Sequence, residues 1–218
     1  MILSRGRKYL FIHAPKTGGT SMALALEARA MKDDIMLGDT PKAVKRRKRL
    51  VDVRTAGRLW KHSTLADLDG LVKLEELDDL FLFTMVRNPW DRMVSYYHWL
   101  RAQSFEHAVV DLAKKLGFEA FVAEPLIAQS FSNPPAASYV MDAQGMEREC
   151  LYIRLEHLAE DIAPLEAHLG FALDIPHVNR SARSGDYREA YSDEARARVA
   201  AYCADDIARF GYCFDGVA

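Results

Sequence analysis

Cysteine is scarce in this chain: three residues in 218, Cys150, Cys203 and Cys213. An odd count without metal-ligand spacing gives neither a disulfide framework nor a structural metal site. The thiols are expected to be reduced, as in a cytoplasmic protein. No apolar run approaches the roughly 20 residues that a membrane-spanning helix needs. Met1–Arg7 leads straight into a strand-like run, with no room there for a signal peptide. Repeats, low-complexity tracts and linker-like stretches are also lacking, so a single domain over 1–218 is expected. Half of the residues are apolar, enough for a sizeable core.

A strong overall charge is missing too. The formal net charge is −2, which excludes a general polyanion binder. The distribution is nonetheless uneven. Lys42, Lys45, Arg46, Arg47, Lys48, Arg49, Arg54, Arg58 and Lys61 face a single acid, Asp52, so residues 41–61 carry +8. Such a run is either a solvated face or a rim that attracts an anionic acceptor or nucleotide. It is nearly devoid of aromatic residues, and single-strand nucleic-acid binders need those for stacking, so no nucleic-acid partner is expected.

The common nucleotide loop, G-x-x-x-x-G-K-[ST], is absent as well: no glycine lies between residues 7 and 17. What is present is a different anion-binding pattern. Tyr9-Leu-Phe-Ile-His13 is apolar and strand-like, and Ala14-Pro-Lys-Thr-Gly-Gly-Thr-Ser21 follows it. A helix-compatible segment starts at Met22. Gly18 and Gly19 let main-chain N–H groups approach an anion, and the helix start adds its unpaired N–H groups and positive dipole end. Lys16 adds a full charge; Thr17, Thr20 and Ser21 add hydroxyls. This turn is suited to a phosphate-like group.

A second strand-like run, Leu80–Val86, ends in Arg87-Asn-Pro-Trp-Asp-Arg92 and then Met-Val-Ser95. Pro89 suits the first position of a helix. Arg87 then sits at the carboxyl end of a strand, where open α/β sheets bind ligands. Ser95 lies about two helical turns on. A guanidinium with a hydroxyl is a good receptor for a terminal phosphate. Arg92 either joins it or pairs with Asp91 or another acid.

Together these motifs resemble the sulfotransferases that use 3′-phosphoadenosine 5′-phosphosulfate (PAPS), and in particular the sulfotransferase family 2 group with its carbohydrate sulfotransferases. Lys16-Thr-Gly-Gly-Thr-Ser21 is similar to their 5′-phosphosulfate loop. Arg87-Asn-Pro-Trp-Asp-Arg-x-x-Ser95 is similar to their 3′-phosphate motif. Tyr152–Leu158, Pro176–Ser181 and Phe210–Phe214 extend the likeness with less specific matches. The resemblance implies a P-loop-like, three-layer α/β/α fold around a central parallel sheet. It also implies PAPS as cosubstrate with 3′-phosphoadenosine 5′-phosphate (PAP) as product, no metal, and a carbohydrate hydroxyl as acceptor. Lys16, Thr17, Gly18, Gly19, Thr20 and Ser21 would hold the 5′ end, Arg87 and Ser95 the 3′-phosphate. Arg180 or Arg183 would come from a donor-rich loop that closes over the nucleotide.

Sulfuryl transfer to a hydroxyl needs a base for the acceptor's proton and a cation for the leaving phosphate. Lys16 fits the second role. His62, in Trp60-Lys-His-Ser-Thr64, is the first choice for the base, because a histidine acts at the matching place in the resembling enzymes. Its pKa is expected near neutrality. His13, at the end of the first strand, is the reserve. Two other readings remain open: a kinase with a variant phosphate loop, and a non-catalytic nucleotide-binding module. A kinase would want its lysine after the glycines and an acidic metal ligand at a strand end.

The element order read from pattern is strand 8–13, helix 20–31, a short strand over Asp34–Leu37, and then the basic segment. Helix 65–77, strand 80–86, helix 90–103 and a proline-punctuated helical region over 105–144 follow. Strand 149–155, helix 157–169 capped by Gly170, and a final helix from Ser192 complete it.

Overall fold

A computed structural model describes residues 1–132, 135–176 and 185–217. The chain runs β1 (Ile2–Ser4), β2 (Tyr9–Ile12), α1 (Gly19–Ala28), β3 (Ile35–Met36), α2 (Pro41–Arg47), α3 (Leu74–Leu77) and β4 (Phe81–Val86). It continues through α4 (Pro89–Arg101), α5 (Ala108–Lys115), α6 (Phe118–Ala123), α7 (Pro125–Ser132) and β5 (Leu151–Arg154). The last elements are α8 (Leu158–Asp161), α9 (Ala163–Leu169), α10 (Asp193–Tyr202), α11 (Ala204–Phe210), β6 (Tyr212–Cys213) and β7 (Gly216–Val217).

Two compact units result. Met1–Val86 and the described part of Ala136–Val178 form the first; Arg87–Pro135 and the described part of Asn179–Ala218 form the second.

The first unit holds a sheet of strand order β3-β1-β2-β4-β5. β2, β4 and β5 are parallel, as expected for strands joined by long helical connections. β1 is antiparallel to both β2 and β3, so the sheet is mixed rather than purely parallel. The reason is local. Only Arg5–Lys8 separate β1 from β2, with Lys8 in the left-handed region at φ 52°. A connection that short can make only a hairpin.

Alternation along the strands supplies two cores. Leu3, Leu10, Ile12 and Leu82 pack on one face with Leu65, Leu68, Leu71 and Val140. Ile2, Tyr9, Phe11, Phe83 and Ile153 pack on the other with Met22 and Leu26 of α1 and Leu165 of α9. Each fully buried side chain of this size contributes about 1.5–3 kcal/mol. The result is an α/β fold of mostly parallel strands with flanking layers, as the sequence pattern anticipates.

The expected helix over 65–77 is not formed. The segment makes a 3-10 turn at Ala66–Leu68, a loop, and then the single turn of α3. Gly70 breaks it: its φ is +94°, and a β-carbon there would overlap the Arg54 carbonyl. Ala56 donates its N–H to the Asp69 carbonyl at 2.9 Å, which ties this loop to the preceding segment.

In the second unit, Pro89 opens α4 and the Asn88 side chain caps it, accepting from the Trp90 N–H at 3.1 Å. The same amide donates to the carbonyls of Cys213 and Gly216 at 2.9 and 3.0 Å. The helix start is thereby fastened to the β6–β7 hairpin. Trp90 donates from its indole to the Arg196 carbonyl at 3.0 Å, holding α4 to α10. Ser192 caps α10 as its sequence predicts, accepting from the Ala195 N–H at 3.2 Å.

Candidate functional site

The turn between β2 and α1 is built from the sheet outward. Thr84, fully buried on β4, donates its hydroxyl to the Ile12 carbonyl at 2.8 Å and fixes the end of β2. The chain then turns through Lys16, at φ 66°, and Gly18, at φ 87° and ψ 1°. A lysine in the left-handed region is unusual and costs on the order of 1 kcal/mol. Main-chain turns of this handedness turn N–H groups toward one point and make anion-binding concavities.

Gly18 is the N-cap of α1 and supplies no side-chain cap. The N–H groups of Gly18, Gly19 and Thr20 make no hydrogen bond to any other described residue. Three donors at the positive end of a ten-residue helix suit a phosphate or sulfate oxygen. The Thr17 side chain is buried and its hydroxyl donates to the Ala14 carbonyl at 2.8 Å, which braces the loop.

Each glycine has its own reason to be there. At Gly18 the positive φ excludes most other residues, and a β-carbon would press the Leu155 side chain at 2.8 Å. At Gly19 a β-carbon would overlap the His13 imidazole. The loop glycine is therefore the space in which His13 lies.

His13 connects the turn to His62. Its carbonyl accepts a hydrogen bond from His62 Nδ1 at 2.7 Å. A carbonyl can only accept, so Nδ1 carries the proton and, in the neutral ring, Nε2 keeps its lone pair. The His13 ring meets the His62 ring edge-on at 4.7 Å between centroids, and Trp60 meets it on another side at 5.0 Å and 87°. His62 is thus oriented by one hydrogen bond and two aromatic edges. Behind His13 the stack continues into the core through Phe11 and Phe83. In front, the Arg58 guanidinium lies 5.6 Å from the Trp60 ring centre.

The turn that carries His62 is itself secured. Ser63, fully buried, donates to the Arg58 carbonyl at 2.8 Å and accepts from the Trp60 N–H at 2.9 Å. Lys61 pairs with Asp39. The amino group of Met1 donates to the Leu37 and Lys61 carbonyls, each at 2.9 Å.

Burial lowers the His62 pKa from 6.5 to about 4, helped by the Lys61 charge and opposed by the bond to the His13 carbonyl. This corrects the expectation of a pKa near neutrality: the ring lies in a poorly solvated corner. Burial pushes His13 well below its ordinary value too, and the Met1 ammonium and His62 add to the effect. Both imidazoles are neutral at physiological pH, and His62 is ready to accept a proton at Nε2.

Arg87 and Ser95 belong to the second unit. Arg87 directly follows β4 in the chain and pairs with Asp91, Nε to Oδ2 at 2.7 Å and Nη2 to Oδ2 at 2.6 Å. Both side chains are largely buried. The acid expected beside Arg92 thus serves Arg87, while the Arg92 guanidinium lies 5.3 Å from the Phe131 ring centre. Ser95 is buried on α4, 8% exposed, and its hydroxyl makes no hydrogen bond to another described residue. Arg180 and Arg183 lie outside the described residues.

Sequence reasoning missed the part played by His13 and Trp60, which arises from contacts distant in the chain. The only signal for His13 was a histidine ending an apolar strand directly before the turn. Among the described residues, no group of three or more His, Cys, Asp and Glu side chains could hold a metal ion. No helix of the described residues is long and apolar enough to cross a membrane.

No protein-family model matches the chain, and no curated protein matches it. Among solved structures, the chain is similar to that of mouse sulfotransferase SULT7A1 complexed with PAP. That likeness is 14% identical, covers 94% of this chain and 86% of the other, and has a TM-score of 0.49.

Proposed function

We propose that this chain is a PAPS-dependent sulfotransferase of the family 2 type, acting on an acceptor hydroxyl, with a carbohydrate as the acceptor class. One observation carries the reading. An anion-binding turn with a helix N-terminus and a lysine is joined, through one residue, to an oriented and neutral histidine. A non-catalytic phosphate binder would need the turn alone.

The residues of the turn fit a 5′-phosphosulfate. Lys16 and the N–H groups of Gly18, Gly19 and Thr20 would hold its oxygens, and Arg87 and Ser95 would hold the 3′-phosphate. PAPS, when bound, supplies a sulfuryl group on a phosphate leaving group. The chain's own part begins at His62 Nε2, which takes the acceptor's hydroxyl proton as the oxygen–sulfur bond forms. Lys16 and the helix amides hold the charge that develops on the phosphate oxygen as its bond to sulfur breaks. The proton stays on His62, whose Nδ1–H remains bonded to His13.

A base with a pKa of about 4 is weak in the free enzyme. A multiply charged nucleotide beside it favours the imidazolium and raises that pKa. Binding of the donor would therefore strengthen the base when it is needed.

The test is label transfer from PAPS radiolabelled in the sulfuryl group, across glycans, phenols, alcohols, lipids and tyrosine peptides. Transfer to glycan hydroxyls, with release of PAP and no label retained on the protein, is expected. Label retained covalently on the protein would contradict direct transfer, and label on another acceptor class alone would overturn the carbohydrate assignment.

A further inference from the structure

Over residues 42–49 the cations of the basic segment divide into two groups with different work. Lys42 donates to the Glu27 carbonyl at 2.5 Å, Arg46 to the Asp34 carbonyl at 3.0 Å, and Arg49 to the Lys32 carbonyl at 2.7 Å. These three cations cover carbonyls at and beyond the carboxyl end of α1 and fasten α2 to the first unit. Ala43, buried at 1%, and Leu50 complete this inner face. The side chains of Lys45, Arg47 and Lys48 are exposed and make no hydrogen bond or ion pair with any described residue.

Two aliphatic side chains lie among those outward cations. Val44 is 53% and Val51 78% exposed. α2 passes directly into a 3-10 turn over Lys48–Leu50, so Val44, Lys48 and Val51 follow the i, i+4, i+7 spacing of one helical face. The same short element thus has an inner face that packs and an outer face of valines set among lysine and arginine. Isolated surface valines are ordinary. Two of them on the one face that also holds three uncompensated cations are what a surface-lying basic amphipathic element presents.

We propose that this outer face docks the protein on an anionic lipid bilayer. The cations would attract the headgroup layer, at about 1 kcal/mol each near such a surface. Val44 and Val51 would enter the boundary between headgroups and acyl chains. A soluble polyanion accounts for the cations but has no use for the valines, and this difference favours a bilayer. Asp39, directly before the Thr40 cap of α2, pairs with Lys61 beside His62. The docking face and the proposed base therefore belong to one braced part of the first unit. The proposal stands on its own residues and does not depend on the sulfotransferase reading.

The test is co-sedimentation of the whole chain with vesicles of phosphatidylcholine alone and of phosphatidylcholine with 30% phosphatidylglycerol, at low and high salt. Binding to the anionic vesicles only, weakened by salt, is expected. K45Q/R47Q/K48Q should bind about 100-fold more weakly, the equivalent of three contacts of about 1 kcal/mol each. V44S/V51S, which keeps every charge, should bind several-fold more weakly to vesicles and equally well to heparin. Unaltered circular dichroism and melting temperature qualify both variants as folded. Absence of anionic-vesicle binding at low salt would overturn the proposal. So would a V44S/V51S variant that binds vesicles as the parent does, which would leave a surface for soluble polyanions instead.

Discussion

Replacing His62 with Asn tests the electrostatics of the site without assuming any activity. Asn keeps a side-chain N–H to donate to the His13 carbonyl and removes the titration. In the folded protein His62 titrates at about 4, against 6.5 in the unfolded chain. Above pH 6.5 both states carry a neutral ring, and His62 makes no pH-dependent contribution. Below it the unfolded chain takes up a proton that the fold refuses, so stability falls as pH falls, until the folded ring also protonates near pH 4. The full gap is worth about 3 kcal/mol, and between pH 7 and pH 5 it removes about 2 kcal/mol. His13 acts in the same direction in both proteins and cancels in the comparison. Urea unfolding at pH 7 and pH 5 should show the parent losing about 2 kcal/mol more than His62→Asn. Equal losses would mean that His62 titrates as it does in water and that its corner is solvated.

Four substitutions address the proposed chemistry. His62→Ala should leave PAP affinity within about twofold and lower turnover by roughly 10²–10⁴, and the parent's kcat/KM should stay level with falling pH until about 4; retained turnover in a folded variant would move the base to His13. Lys16→Ala should lower turnover more than PAP affinity in parallel turnover and calorimetry measurements, because its charge is set against the leaving phosphate; loss of affinity alone would make it an anchor only. Arg87→Ala should weaken PAP binding by about 1.5–3 kcal/mol by calorimetry, and Ser95→Ala by less; unchanged affinity in a folded Arg87→Ala protein would remove the 3′-phosphate assignment.

Much of the scaffold was legible because it rests on local pattern. Strand runs ending in glycine or proline placed β2, β4 and the starts of α1 and α4. The hairpin from β1 to β2 was not legible, since Ile2–Ser4 is too short to show a period. The helix expected over 65–77 had the right apolar spacing, but Gly70 lies against the Arg54 carbonyl, a contact between distant segments that no window of sequence contains. The same limit applies at the site. Spacing singled out Lys16, Gly18 and Gly19, and the family resemblance singled out His62. Neither showed that Gly19 makes room for His13, that the His13 carbonyl sets the tautomer of His62, or that burial holds that ring neutral. Composition marked residues 41–61 as basic, and only the backbone carbonyls they reach separate bracing cations from outward ones.

The most direct test of the central claim is calorimetric titration of the whole chain with PAP and with ATP, in the absence of magnesium. A turn built for a 5′-phosphosulfate, together with a receptor for a 3′-phosphate, should bind PAP at least tenfold more tightly than ATP. Binding of ATP as tight as or tighter than that of PAP, or the absence of PAP binding, would contradict the account.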